Sequence, residues 1–242
     1  MTAPLRAGLV GVGMMGRNHA RVLASLPGVE LVAIADPGGD PHSVAGNRPV
    51  LGTVDELISA GVDYVVVSCP TALHLEVGLA LAEVGVHALV EKPLADTYVG
   101  ARELAAAFDE AGLIGAVGHI ERYNPALQNA RRRLEEGELG DVYQVVTRRQ
   151  GPFPGRIADV GVVKDLATHD IDLTAWVTQR PFVSVAAQMA QRSGRPHEDL
   201  VAFIGALEGG VVTSHLINWL SPMKERVTVI TGERGAFVAD TL

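Results

Sequence analysis

Cys69 is the whole thiol content of this 242-residue chain, so no internal disulfide can staple the fold. A long uninterrupted apolar run is also missing. The opening MTAPLRAGLVGVG breaks into glycines before it could act as an export signal or a membrane span, so a cytoplasmic location without membrane attachment is expected. Positive charge is short as well: 20 Lys and Arg against 28 Asp and Glu leave a formal charge of -8. That balance lacks the basic stripe that a phosphate backbone requires, and no nucleic-acid partner is expected. Lysine occurs only at Lys92, Lys164 and Lys224, which draws attention to any lysine at a structural corner. Repeats and low-complexity tracts are absent. What is abundant is apolar residues, at 48% of the chain, enough for one large core or two modest ones.

Through the first half, short β-branched runs alternate with helical patterns. Residues 5–10, 29–35, 62–68, 86–91 and 113–118 read as buried parallel strands. Between them, Thr53 followed three residues later by Glu56 fits a capping box, and Gly85 and Gly112 stand where helix ends favour a left-handed residue. Such alternation requires crossover connections and a doubly wound parallel sheet. After Tyr123 the pattern changes. Asn124 and Pro125 read as the cap and first residue of a helix running to Gly137, with Leu127, Ala130 and Leu134 on its apolar stripe. Strands then dominate, and Glu208, Gly209 and Gly210 between two alternating runs signal a hairpin. The expected architecture is α/β: a Rossmann unit over 1–118, followed over 119–242 by an α+β unit on a large open, mainly antiparallel sheet.

GVGMMG, with Gly11, Gly13 and Gly16 directly after the first strand, is the strongest local motif. The first glycine permits the tight turn, the second admits a pyrophosphate, and the third lets helix and strand pack closely. Asp36, twenty residues after Gly16 at the end of the second strand, is placed to hold ribose hydroxyls. The residues that follow it, Pro37, Gly38 and Gly39, offer no arginine for a ribose phosphate, which favours NAD over NADP unless Arg17 or Arg48 folds in. Met14 and Met15 in the turn, and Ser68, Pro70, His74 and Glu91 near later strand ends, complete the cofactor-binding candidates. Cys69 reads as a packing residue beside the cofactor rather than a nucleophile. Lys92, after the strand ending at Glu91, reads either as a solvated strand-end lysine or as a group that hydrogen-bonds a substrate hydroxyl.

The stretch VGVVKDLATHDIDLTAW puts Asp165, His169 and Asp172 at spacings of four and three, on one face if the segment is a continuous helix. Taken alone, that face is a solvated surface, a metal site or a catalytic dyad. No supporting ligand cluster accompanies it, and no metal is expected.

GVGMMGRNH, SCPTALH, the tripeptide Glu91–Lys92–Pro93 and the Asp165/His169 pair together resemble the Gfo/Idh/MocA oxidoreductases, over essentially the whole chain. The resemblance implies an N-terminal Rossmann domain, a C-terminal domain on an open sheet used in oligomer contacts, Lys92 as a catalytic residue, and Asp165 with His169 as the other half of the site. Beside a dinucleotide site, the dyad becomes the preferred reading of the helix face. His169 or Lys92 would take the hydroxyl proton, the other polarising the oxygen, with Asp165 placed to orient the imidazole. The stretches 119–125 and 148–173 look most like the branch that oxidises the 3-hydroxyl of UDP-N-acetylglucosamine. Arg148, Arg149 and Arg156 are candidates for gripping its diphosphate, with Arg122, Asn124 and Asp172 as further substrate candidates. Inositol or a free sugar is the alternative substrate, and a non-catalytic NAD-binding sensor the alternative function. The expected partners are a small sugar or sugar nucleotide and further copies of the chain, in a dimer or tetramer formed through the C-terminal sheet. Members of the family are longer than this chain, so its final strands and helix are expected to be missing.

Overall fold

Five β-branched runs form strands as their composition predicts, trimmed by a residue or two where loops begin. In the computed structural model, which describes residues 3–155, 157 and 160–242, these are β1 (Leu5–Val10), β2 (Val29–Ala35), β4 (Tyr64–Val67), β5 (His87–Val90) and β6 (Gly115–Val117). A two-residue strand, β3 (Val50–Leu51), adds an edge too short for periodicity to reveal. The sheet order is β3-β2-β1-β4-β5-β6, every pair parallel. Helices α1 (Met14–Ser25), α2 (Val54–Ser59), α3 (His74–Glu83) and α4 (Tyr98–Glu110) provide the crossovers. Two apolar clusters form, one around Leu57, Leu81 and Leu104 and the other around Leu9, Leu23 and Ile34. The local signals are realised: Thr53 and Glu56 make a reciprocal capping box, and Gly85 and Gly112 have φ of 78° and 64°. Because all the strands are parallel, every loop leaving a strand's carboxyl end lies along one edge. The order reverses between β1 and β4, which is where such sheets bind ligands.

The chain divides into two compact units, Met1–Gly118 and His119–Leu242. In the second, Asn124 caps α5 (Pro125–Glu135) by accepting from the Ala126 N–H, with Pro125 in the first turn. Six strands follow: β7 (Val142–Pro152), β8 (Phe182–Ala190), β9 (Leu200–Leu207), β10 (Val212–Asn218), β11 (Leu220–Gly232) and β12 (Gly235–Asp240). Their order is β12-β11-β7-β10-β9-β8. All neighbours are antiparallel except β7 and β10, a pairing that alternation within single strands cannot disclose. Residues 235–240, as β12, form that sheet's edge. α5 and α6 (Thr168–Thr178) cover one face, where Leu127, Ala130, Leu173 and Val177 meet Val145, Ile230 and Ala239. The opposite phase of the same strands leaves Ile204, Val212 and Val238 more than half exposed. Among the described residues, no helix is long and apolar enough to cross a membrane.

Candidate active site

The glycine turn lies between β1 and α1, at the point where the strand order reverses. Gly11 has φ of 86°, and a Cβ there would sit 2.7 Å from the Cys69 backbone nitrogen. A Cβ on Gly16 would overlap the Gly11 carbonyl oxygen. Gly13 differs: nothing lies within 4 Å of where its Cβ would stand, and it opens to solvent with Met14 beside it. That open position at the head of α1 suits a pyrophosphate, which needs both close backbone approach and a helix N-terminus. At the end of β2, Asp36 accepts from the Val12 N–H (2.9 Å) through one oxygen and from the Gly38 N–H (2.8 Å) through the other. These bonds orient the carboxylate while leaving acceptor capacity for ribose hydroxyls. Arg48 donates to the carbonyls of Leu31 and Ala45, so its guanidinium is held away from the role of pairing a ribose phosphate. The residues present fit NAD.

Beyond β4, Ser68 donates its hydroxyl to the Gly11 carbonyl (2.9 Å), with that of Val10 at 3.1 Å, which ties this loop to the glycine turn. Pro70 is exposed. Burial pushes the Cys69 thiol up to about 11, so it stays protonated and unreactive near neutrality. His74, expected to line the cofactor pocket, is 1% exposed and braces two loops instead. Its ring nitrogens lie 2.9 Å from the Pro93 carbonyl and 3.0 Å from that of Cys69. Glu91 is also buried. One oxygen lies 2.8 Å from His19 Nε2 on α1, and the other accepts from the Lys92 N–H at 3.1 Å. Sequence reasoning took His19 only as part of a motif. Its role as the link between the glycine-turn helix and the Lys92 loop depends on a contact across 72 residues. Lys92 itself is half-buried and precedes a cis peptide bond to Pro93.

In the second unit, the segment around Asp165 and His169 is not one continuous α-helix. Val163–Ala167 forms a π-helical turn, and α6 starts at Thr168. The four-residue spacing therefore crosses a change in helical pitch. His169 is buried; Asp165 and Asp172 are half-buried. Asp172 accepts from both Arg122 Nε (2.9 Å) and Nη2 (2.5 Å), which favours the charged guanidinium, and His119 Nδ1 lies 3.5 Å away.

The arginines expected to grip a diphosphate separate on inspection. Arg148 is exposed and pairs with Glu225. Arg149 is 4% exposed and donates Nε to Asp170 and Nη1 to Glu121, which sets this buried guanidinium against the substrate role expected for it. Arg156 lies outside the described residues. Asn124 is occupied as a helix cap. Among the described residues, no group of three or more His, Cys, Asp or Glu is arranged to hold a metal ion.

Residues 5–119 match the oxidoreductase family model with an NAD-binding Rossmann fold, and residues 127–238 match the GFO/IDH/MocA C-terminal domain. The chain is 33% identical over 186 residues to UDP-N-acetylglucosamine 3-dehydrogenase of Acidithiobacillus ferrooxidans, covering 76% of this chain and 57% of that protein. It is 30% identical over 196 residues to scyllo-inositol 2-dehydrogenase (NAD(+)) of Bacillus subtilis, covering 77% and 57%. The chain thus spans under two thirds of the length of both relatives. Among solved structures, it superposes on the WlbA dehydrogenase of Bordetella pertussis in complex with NADH and UDP-GlcNAcA. The TM-score is 0.92 at 27% identity, covering 100% of this chain and 75% of that one.

Proposed function

Because the chain belongs to the Gfo/Idh/MocA oxidoreductase family and carries its NAD-binding Rossmann fold, we propose that it oxidises a secondary hydroxyl on a sugar or sugar nucleotide. The observation that supports this most is the convergence, along one edge of the first sheet, of the glycine turn, Asp36 and the braced Lys92 loop. NAD, when bound, supplies the hydride acceptor and so the redox half of the reaction. The chain's own residues then have to handle a proton and an oxygen. His169 takes the hydroxyl proton, Asp165 orients it, and Lys92 polarises the substrate oxygen. In this reading residues 1–118 bind the coenzyme, and residues 119–242 bind substrate and associate with other copies.

The preferred substrate is UDP-N-acetylglucosamine, oxidised at its 3-hydroxyl to the ketone. Support comes from the 33% identical dehydrogenase named for that sugar nucleotide and from the bound UDP-sugar in the WlbA complex. Inositol is the second reading, favoured by the Bacillus relative. The test is growth of the reduced-nicotinamide absorbance with NAD and UDP-N-acetylglucosamine, run beside inositol, glucose and NADP. Signal with the UDP-sugar alone is expected. Signal with inositol alone would transfer the assignment to a polyol, and NAD binding without reduction by any of them would favour a sensor.

The exposed apolar sheet face supports association with further copies of the chain. Ile204, Val212 and Val238 present apolar area that water solvates poorly, and a second copy of the same face is a partner of matching chemistry. Light scattering should find a dimer or tetramer that Ile204→Asp with Val212→Asp converts to monomer. A parent chain monomeric at micromolar concentration would sink this part of the reading.

A further inference from the structure

Two adjacent residues of one short turn grip two residues of α6. The 3-10 turn Ile120–Tyr123 carries Glu121 and Arg122; α6 carries Asp170 and Asp172. Arg122 reaches Asp172 directly. Glu121 reaches Asp170 through Arg149 of β7, which donates Nη1 to Glu121 (2.9 Å) and Nε to Asp170 (2.6 Å). Burial opposes the charge on Arg149, but the two acids outweigh it and hold its pKa above the ordinary value. Burial pushes the Asp170 carboxyl upward, and the Arg149 guanidinium opposes that rise.

Thr147 lies two residues from Arg149 on the same face of β7, and its oxygen is 2.7 Å from His215 Nδ1 on β10. His215 is 2% exposed and stacks on Phe203 at 4.2 Å, and burial pushes its pKa down to about 4, so it stays neutral near pH 7. The charged relay runs Glu121, Arg149, Asp170 and links the turn, β7 and α6; the Thr147–His215 pair carries the buried polar face of β7 on to β10.

A π-helical turn directly before α6 breaks the regular pitch, so sequence spacing alone does not fix the direction of His169. We propose that this buried relay, clamped at Asp170 immediately beside His169, sets the rotation of α6 and thereby aims the His169 ring. Its members are positioning residues. The proposal rests on the reading of His169 as proton acceptor only where turnover is measured; the direction of the ring can be read without it.

The test combines long-range proton–nitrogen NMR of the histidine rings with steady-state kinetics on the whole chain, comparing the parent with Arg149→Met and Arg149→Lys. Arg149→Met should shift or double the His169 ring resonances and lower kcat by up to about 10²-fold, the loss expected of a misplacement near 1 Å. The KM for NAD should hold, and Arg149→Lys should recover part of kcat. Should Arg149→Met fail to fold, Arg149→Lys keeps the charge, loses the fork and must still move the His169 resonances. Unchanged His169 resonances in a folded Arg149 variant that only melts earlier would overturn the relay. A parent without turnover on any sugar would defeat the catalytic reading of His169, while the resonances would still decide the relay.

Discussion

Alanine at Lys92 or at His169 is expected to lower turnover by roughly 10²–10⁴-fold, the range that a positioned proton-transfer group contributes, with NAD affinity nearly unchanged. The argument for Lys92 is its loop. The lysine's own N–H is held by the Glu91 carboxylate, Glu91 is held by His19, and the next carbonyl, that of Pro93, is held by His74. A solvated surface lysine has no need of such bracing. For His169 the argument is burial on a helix whose neighbouring residues are fixed by buried charge. Imidazole is also the side chain whose ordinary pKa lies closest to neutrality. Asp36→Ala should give the opposite pattern, weaker NAD binding with turnover at saturation largely kept, because its carboxylate, oriented by the Val12 and Gly38 N–H groups, is the proposed partner of the ribose hydroxyls. Steady-state kinetics paired with fluorescence titration of NADH separates the two patterns. Normal turnover in His169→Ala would remove the histidine from the mechanism.

The second large effect concerns the glycine turn, where two glycines should fail for different reasons. Gly16→Ala sets a methyl group against the Gly11 carbonyl, with the Ser68 hydroxyl 3.0 Å away. The first obstacle is backbone that cannot rotate aside, so the turn and α1 must move apart. A loss of about 1–3 kcal/mol is expected from such overpacking, together with collapse of NAD affinity because the helix N-terminus moves with the turn. Gly13→Ala meets no protein atom within 4 Å. It should leave the melting temperature within a degree or so, since surface changes usually cost little, yet weaken NAD because the methyl group occupies the pyrophosphate's approach. Thermal melts with and without NAD read both effects. A Gly13→Ala chain that bound NAD like the parent would move the pyrophosphate elsewhere.

Much of the site was legible because its signals are local. Gly11, Gly13 and Gly16 declare a turn by spacing within six residues, and Asn124–Pro125 and Thr53/Glu56 declare helix starts by backbone chemistry within three or four. Arg149 shows where this fails. On a strand beside Arg148 it read as a free fork for a diphosphate, but alternation puts one arginine outward and the next inward. Only the partner of the inward one decides what it does. Glu121 and Asp170 lie 28 and 21 residues away, and no periodicity links them to it. The π turn before α6 escaped for a related reason. Apolar spacing there is compatible with more than one pitch, and packing against β9 and β10 accompanies the pitch adopted.

The sequence by itself determined the alternating first half, the glycine cradle, the acid at the end of β2 and the motif order that marks the family, since each depends on backbone preferences and hydrophobic periods acting over a few residues. Only the tertiary structure decided that β7 and β10 run parallel, that His19 holds Glu91, that His74 braces the Lys92 loop and that Arg149 faces inward between two acids. Those outcomes depend on which distant groups are buried together, and a buried charge or imidazole takes the partner that the folded chain brings within hydrogen-bonding distance.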